Sequence, residues 1–410
     1  MITKPILRSS NVAGSLVKSP IRPFARARLT NRTRCGLLVS VRHKSGPYGY
    51  TQAKSLVFSQ YGEPKDVLKL HTHSISPTLP SSSVILRTLA ASINPADVNT
   101  IQGTYGVKPT FSPLLGTSEP SVIPGNEGVM EVVASSSPKL NKGDWVIPAK
   151  TGFGTWRTHA LTPADSVIKI DKEGLQPVQA GTVSVNPCSA YRMLRDYADP
   201  PLREGDWFIQ NGANSGVGRA AIQLGKLWGY QSINVVRSRE TAEDTQKLRD
   251  ELLALGATHV VTEEEFMDRG FKDQVAQWTR AGRQGIKLGL NCVGGKSAQT
   301  MAKNLTMSGT LVTYGGMARQ PVALPTGLLI FKDIRFVGFW LSRWADQDTR
   351  SKETTVNEIL GLIREGKFKD TPVVDVPWTW ETEEDTLTKA VQGTLEGFRA
   401  GKGVFVFGDT

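Results

Sequence analysis

The segment WFIQNGANSGVG (residues 207–218) decides the fold of this 410-residue chain. Its first four residues predict a short strand, three glycines follow within the next eight, and residues 217–228 predict a helix. A glycine-rich turn between a strand and a helix lets backbone amides approach a phosphate, and the helix N-terminus favours the anion. A tight turn that binds nothing has the same pattern, so the flanking sequence has to decide between the two interpretations.

On both sides of this segment, apolar strands alternate with amphipathic helices, which is typical of βαβ units. A helix predicted over 241–255 ends before Gly256, a residue type common just after a helix C-terminus. Six parallel strands are predicted, at 207–210, 232–236, 259–261, 288–292, 310–314 and 334–339. The sequence therefore predicts an α/β, doubly wound dinucleotide-binding fold. We expect its pyrophosphate site to include Asn214, Ser215, Gly216, Val217 and Gly218.

Two arginines, Arg237 and Arg239, follow the second predicted strand of this sheet. A site for NAD usually places an acidic residue there, against the ribose hydroxyls. A guanidinium pair suits the dianionic 2′-phosphate of NADP instead, and each charged hydrogen bond contributes roughly 1.5 to 3 kcal/mol. The sequence thus predicts that the chain binds NADPH in preference to NADH.

The regions on either side of the predicted dinucleotide fold have different patterns. Residues 53–148 contain short β-rich runs separated by Pro, Gly and Ser, with one helix expected over 95–102, and so predict a small, mostly β lobe. After residue 351 we expect a helix over 354–366, a strand over 373–376, a helical stretch that reaches Phe398, and a strand over 403–407. We expect these last strands to return to the first lobe.

The net positive charge of the chain comes from its first 62 residues. The formal net charge is +11, yet eleven basic residues and no acidic one precede Glu63, so the remainder sums to zero. An acid-free start rich in Arg, Ser and Thr predicts a mitochondrial transit peptide over residues 1–45, although a retained basic tail would look alike. The neutral remainder argues against a nucleic-acid partner. No run approaches the roughly 18 apolar residues of a membrane span.

The order of the lobes, with LGA at 255–257 and VV at 260–261, resembles the medium-chain dehydrogenase/reductase superfamily. That resemblance implies a GroES-like, mostly β catalytic domain over 46–185, a Rossmann cofactor domain over 186–345, and a return segment over 346–410 that completes the catalytic domain. Zinc-dependent members need Cys, His and Glu ligands. This chain has three cysteines, and Asn126 stands where those enzymes carry a ligand histidine, so we expect no metal site.

Five further motifs make the resemblance more specific. The motifs NPAD (94–97), IQGTY (101–105), NP (186–187), YGGM (314–317) and GFWLS (338–342) are similar to those of mitochondrial trans-2-enoyl thioester reductases of type II fatty acid synthesis. The resemblance implies an NADPH-dependent homodimer in the mitochondrial matrix that reduces enoyl-CoA or enoyl-acyl carrier protein. It also implies that Tyr105 is the proton donor, a role that a well-placed phenol can fill.

The same resemblance implies further contacts with NADPH. They are made by Asn186, Tyr314, Gly315, Gly316, Met317, Phe339, Trp340, Leu341, Ser342 and Lys402. Trp340 and Phe331 are also expected to form the wall of an acyl-chain pocket.

Other functions compete with this interpretation. An NADPH-dependent quinone or enone reductase would share the cofactor site and the missing zinc ligands. A short-chain dehydrogenase is disfavoured, because Tyr50 to Lys54 and Tyr61 to Lys65, which have its Tyr-x-x-x-Lys spacing, both precede the glycine loop. A non-catalytic NADPH-binding regulatory or RNA-binding role remains a third alternative, although no aromatic-basic RNA motif is visible.

Overall fold

The computed structural model describes residues 52–76, 78–280, 283–395, 401–408 and 410. The predicted transit peptide, over residues 1–45, lies outside this range, as does Phe398 at the end of the last helical stretch. Among the described residues, no helix combines the length and the apolar character that a membrane crossing needs.

The first lobe is mainly β-structure, as its sequence predicts. Its strands are β1 (Gln52–Val57), β2 (Lys69–Ser74), β3 (Ser83–Ser92), β4 (Gly128–Ser135), β5 (Trp145–Pro148), β6 (His159–Pro163) and β7 (Val167–Ile170). Its helices are α1 (Pro64–Val67), α2 (Pro95–Ile101) and α3 (Pro177–Ala180). Helix α2 begins with Pro95 in its first turn, and the Asp97 carboxylate accepts a hydrogen bond from the backbone N–H of Asn94 at 2.9 Å. This contact fixes the start of the helix, because it satisfies a donor that the helix leaves free.

The second lobe contains the predicted parallel sheet. Its helices are α4 (Asn186–Asp196), α5 (Gly216–Leu227), α6 (Ala242–Leu255), α7 (Glu263–Met267), α8 (Phe271–Trp278), α9 (Gly295–Asn304), α10 (Thr326–Lys332) and α11 (Leu341–Gln347). Its strands are β8 (Trp207–Gln210), β9 (Gln231–Val236), β10 (His259–Thr262), β11 (Ile286–Asn291), β12 (Leu305–Thr313) and β13 (Arg335–Gly338). Helix α6 ends as expected, with Gly256 in the left-handed region at φ 117°.

The six strands of this sheet are ordered β10-β9-β8-β11-β12-β13, and all pair in parallel. The prediction of a doubly wound dinucleotide fold is therefore confirmed. The strand order reverses between β8 and β11, and in such sheets the crevice beyond the carboxyl ends of the two strands is where ligands bind. At this point Asn211, directly after β8, donates to Asn291 Oδ1 at 2.9 Å, and the Cys292 backbone N–H donates to Asn211 Oδ1 at 2.8 Å.

The C-terminal segment returns to the first lobe, as predicted. It consists of α12 (Thr349–Arg364), β14 (Val373–Trp378), α13 (Glu384–Gln392) and β15 (Lys402–Phe407). Strand β15 pairs antiparallel with β3, so the large sheet of the first lobe runs β14-β15-β3-β4-β5-β7, and β6 pairs with β3. The start of β15 thus reaches the cavity between the two lobes.

Candidate active site

A cavity of about 1360 Å³ lies where the two lobes meet. It is lined by residues 214–217 of the glycine loop (residues 212–218), the loop after β12, the start of α11, helix α2 and the start of β15. Pockets for a single small ligand usually measure about 300 to 1000 Å³. This cavity is therefore larger than a pocket for one small ligand.

The glycine loop turns the chain from β8 into α5. Gly212 has φ 60°, and Ser215 caps the helix by accepting a hydrogen bond from the Gly218 backbone N–H at 3.1 Å. A Cβ added to Gly216 would lie 2.4 Å from Asn186 Nδ2, and one added to Gly218 would lie 2.4 Å from the Ala213 carbonyl oxygen. The loop has no space for a side chain at Gly216 or Gly218, and Ser215, Gly216 and Val217 line the cavity at the start of α5, where free backbone amides suit a pyrophosphate.

Most of the predicted cofactor residues line the cavity. It is lined by Asn186, Asn214, Ser215, Gly216, Val217, Tyr314, Gly315, Gly316, Met317, Phe339, Trp340, Leu341, Ser342 and Lys402. Gly218, Arg237 and Arg239 are not part of the lining, and the Gly218 N–H is used by Ser215. Phe331 does not line the cavity either and is 76% exposed, so it does not form the wall expected of it.

Three arginines gather beside the start of α5. Arg237 and Arg239 follow β9, and Arg219, which the sequence reasoning missed, lies in the first turn of α5. Arg219 donates to Asn214 Oδ1 at 2.8 Å and to Glu251 at 2.8 Å. Burial, together with the charges of Arg237 and Arg219, lowers the pKa of Arg239. A dianionic phosphate placed here would relieve that repulsion, so the cluster suits the 2′-phosphate of NADP.

Tyr105 lies on the loop after α2, and its hydroxyl connects the two lobes. The indole N–H of Trp340 donates to Tyr105 Oη at 2.8 Å, and Ser342 Oγ lies 3.0 Å from the same oxygen. The loop is held by the backbone N–H groups of Thr104 and Tyr105, which both donate to the Asn99 carbonyl. We call Tyr105, Trp340 and Ser342 the Tyr105 cluster.

Tyr314 is the other tyrosine that lines the cavity among the described residues. Its hydroxyl is buried, and burial, beside Cys292, raises the pKa of Tyr314 well above its usual value of 10. Such a phenol is a poor proton donor at neutral pH. Tyr105 is thus the better candidate for a catalytic acid.

A second set of polar side chains lies at the cavity wall, and of these the sequence predicted only Lys402 as a cofactor contact. Lys402 Nζ and Glu127 Oε2 are 2.6 Å apart, and the Asn94 side-chain amide donates to the same carboxylate oxygen at 3.0 Å. Asp97 accepts from the Asn126 side-chain amide at 2.7 Å, and burial raises the pKa of Asp97 to about 6. We call Glu127, Lys402, Asn94, Asp97 and Asn126 the Glu127 network. Its members come from three separate stretches, at 94–97, 126–127 and 402, so no single local motif reveals it.

No metal centre was expected here, since Asn126 replaces the ligand histidine of zinc enzymes. Within the residues that the structure describes, no group of three or more His, Cys, Asp or Glu side chains could hold a metal ion.

The fold and the cavity define a dinucleotide-dependent oxidoreductase of the medium-chain dehydrogenase/reductase class. Residues 80–172 match the alcohol dehydrogenase GroES-like domain family, and residues 216–356 match the zinc-binding dehydrogenase family. Among curated proteins, the mitochondrial enoyl-(acyl-carrier-protein) reductase of Yarrowia lipolytica is 50% identical over 321 residues, which are 78% of this chain and 82% of the relative. The human protein of the same name is 43% identical over 334 residues, 80% of this chain and 83% of the relative. The chain belongs to this family of mitochondrial enoyl-(acyl-carrier-protein) reductases.

Solved structures agree with this assignment. The Etr1p/NADP/crotonyl-CoA complex matches with a TM-score of 0.81 and 38% identity, and it covers 87% of this chain and 99% of its own. The Etr1p/Etr2p heterodimer of the mitochondrial 2-enoyl thioester reductase from Candida tropicalis matches with a TM-score of 0.80, 38% identity and the same coverage. A putative NADPH:quinone reductase from Bacillus thuringiensis has a TM-score of 0.70 at 23% identity over 87% of this chain and 99% of its own, and so shares the fold alone.

Proposed function

We propose that this enoyl thioester reductase donates the proton of its reaction from Tyr105, after NADPH has delivered a hydride to the β-carbon of a trans-2-enoyl thioester. The observation that carries the proposal is the position of the Tyr105 hydroxyl, which lies on the cavity wall between two hydrogen-bonding side chains of the other lobe. The activity itself is that of the family, whose relatives are named for it.

The residues that line the cavity and the arginines beside α5 suit NADPH. We propose that the start of α5, with Asn214, Ser215, Gly216, Val217 and Gly218, holds the pyrophosphate, and that Arg237 and Arg239, joined by Arg219, hold the 2′-phosphate. We propose that Asn186, Tyr314 to Met317, Phe339 to Ser342 and Lys402 contact the rest of the cofactor. When bound, NADPH supplies the hydride.

The Tyr105 cluster explains how a phenol can act as the acid. Hydride addition leaves negative charge on the thioester, and the α-carbon must then take a proton. An indole N–H can only donate, so Trp340 always directs a hydrogen onto the Tyr105 oxygen. The Ser342 hydroxyl can donate to it as well once the proton has left. Both hydrogen bonds strengthen as the phenolate forms, and they therefore favour proton release.

The test follows the absorbance of NADPH during turnover of a trans-2-enoyl-CoA by the purified protein, with a quinone as the competing substrate. We expect oxidation with the enoyl thioester alone. Tyr105→Phe should lower kcat about a hundredfold or more, since loss of a general acid usually costs that much. Tyr61→Phe is the matched control, because Tyr61 packs against Phe58 and Phe111 outside the cavity lining.

Two results would overturn this proposal. Turnover of the quinone alone would mean that the cavity serves another acceptor. Full activity of Tyr105→Phe with the enoyl thioester would move the acid to another group or to water.

We also propose that the chain forms a homodimer through β13 and α10. In the part of the chain that the structure describes, β13 pairs on one side only, with β12, and leaves an edge of backbone donors and acceptors. Beside it, Leu329, Ile330 and Phe331 are exposed on α10. Exposed apolar patches of this kind mark protein interfaces. By light scattering, the wild-type protein should be a dimer. Phe331→Asp should dissociate it, whereas the control variant Leu114→Asp, at an exposed residue elsewhere, should not. A monomeric wild-type protein would contradict the proposal.

The protein is mitochondrial, as its relatives are, and we propose that it works in the matrix after removal of residues 1–45. We further propose that residues 46–185 and 346–410 form the catalytic domain and residues 186–345 the cofactor domain. Enoyl-CoA and enoyl-acyl carrier protein remain alternative substrates, because both carry the same acyl thioester portion.

A further inference from the structure

Glu127 is a buried carboxylate to which the proposed reaction gives no role. Its side chain is fully buried and that of its partner Lys402 is 9% exposed. Removing two charges from water is costly, and a buried ion pair is therefore weak evidence for stability. A pair of apolar residues would fill the same space at less cost, which leaves the arrangement of the charges to be explained.

Three separate segments of the chain converge on this one carboxylate. Oε2 accepts from Lys402 at the start of β15 and from Asn94 before α2, and Oε1 accepts from the Val185 backbone N–H at 2.8 Å. All three of these residues line the cavity. Both carboxylate oxygens are thus occupied by donors from different parts of the fold.

Each of the three segments leads to a part of the proposed site. Val185 precedes Asn186, whose side chain lies directly against Gly216 of the glycine loop, with no space for a Cβ between them. Asn94 begins α2, whose Asn99 carbonyl holds the loop that carries Tyr105. Lys402 itself reaches the cavity. The carboxylate therefore connects the glycine loop with the loop of the proton donor.

We propose that Glu127 is a positioning residue, which sets the distance between the bound dinucleotide and Tyr105 by holding Lys402, Asn94 and Val185 at one point. This inference rests on the proposed function for its second partner, Tyr105, but its effect on NADPH binding does not depend on the substrate. A displacement of about 1 Å at a reacting centre can lower the rate about a hundredfold.

Glu127→Gln tests the proposal, because an amide cannot accept on both sides. Whichever way it turns, its NH₂ group meets either the Val185 N–H or the donors of Lys402 and Asn94. We expect the dissociation constant of NADPH, measured by its fluorescence without substrate, to rise about tenfold. We expect kcat to fall about a hundredfold, and the primary isotope effect with deuterated NADPH to increase, because hydride transfer becomes slower.

Glu131→Gln is the matched control. Glu131 lies on β4, the strand that follows Glu127, and pairs with Arg87 at 2.8 Å, but both side chains are partly exposed and neither lines the cavity. Exposed pairs contribute little, so we expect its NADPH affinity and kcat to stay within about twofold of the wild type.

Glu127→Asp keeps the charge but shortens the reach, so NADPH affinity should return towards the wild-type value while kcat stays low and the isotope effect high. This variant carries the test if Glu127→Gln does not fold. A loss of melting temperature with wild-type kcat, NADPH affinity and isotope effect would make Glu127 merely structural and overturn the proposal. Should the wild-type protein not reduce enoyl thioesters, the proposed function fails, and the NADPH affinities of the three variants still decide the role of Glu127 in the site.

Discussion

The glycine loop and the Tyr105 cluster are two regions of one cavity that are built in different ways. One continuous segment forms the glycine loop, and the groups we propose for cofactor binding there are backbone amides at the start of α5. The Tyr105 cluster consists of side chains from two lobes, joined by hydrogen bonds of 2.8 and 3.0 Å across 235 and 237 positions of the sequence. The first region depends on the absence of side chains, the second on their exact placement. Substitutions should therefore affect cofactor binding in one region and the chemical step in the other.

The largest effect in this comparison is expected at Gly216. In Gly216→Ala the new Cβ would lie 2.4 Å from Asn186 Nδ2, and the resulting strain should weaken NADPH binding about a hundredfold. Titration of NADPH fluorescence measures this loss. Gly361→Ala in α12 is the control, since nothing lies within 4 Å of its added Cβ. Equal affinities for the two variants would contradict the role of the glycine loop.

A smaller and more selective effect is expected at Arg239. Arg239→Gln removes one charged partner of the 2′-phosphate and should raise the KM for NADPH about tenfold while leaving that for NADH unchanged. Steady-state kinetics with both cofactors checks this. A parallel change for NADH would mean that the arginine supports the fold around β9 and does not select the phosphate.

Within the Tyr105 cluster, Ser342→Ala should lower kcat by about threefold to tenfold, the usual contribution of one hydrogen bond. The KM for NADPH should change less, because the hydroxyl acts on Tyr105 Oη. Ser342→Thr keeps the hydroxyl and is expected to keep the rate. If Thr is as slow as Ala, the effect comes from packing at the start of α11.

The smallest effect on catalysis is expected from substitution of Asp97. Its ionisation should instead change the stability of the folded protein with pH. Its pKa is raised by burial from 3.8 to about 6, so between these values the folded protein binds more protons than the unfolded chain. Stability contributed by Asp97 is therefore present below pH 4 and lost as the pH rises to about 6, by up to about 3 kcal/mol. The melting temperature of the wild type should fall relative to that of Asp97→Asn over this range. If the melting temperatures of the two proteins changed with pH in the same way, the assigned role of Asp97 would be contradicted.

Much of the second lobe could be predicted from its sequence. The strand over Trp207–Gln210 and the capped helix before Gly256 follow from local patterns, and the structure has both. Arg219 was missed, although its place in the first turn after the glycine loop was a usable signal. Phe331 was expected in the wall of the acyl-chain pocket, yet it is exposed on α10. Apolar character alone does not tell a cavity wall from an exposed interface.

The sequence by itself determined the parallel sheet, the glycine loop and the position of Tyr105 after α2, because strand and helix periodicity and glycine turns act over a few residues. Only the tertiary structure decided that Tyr105 meets Trp340 and Ser342, and that Glu127 holds Lys402, Asn94 and Val185. These contacts join segments up to 275 positions apart. They arise when the return strand β15 pairs with β3 and the two lobes meet. No local sequence pattern encodes contacts between such distant segments.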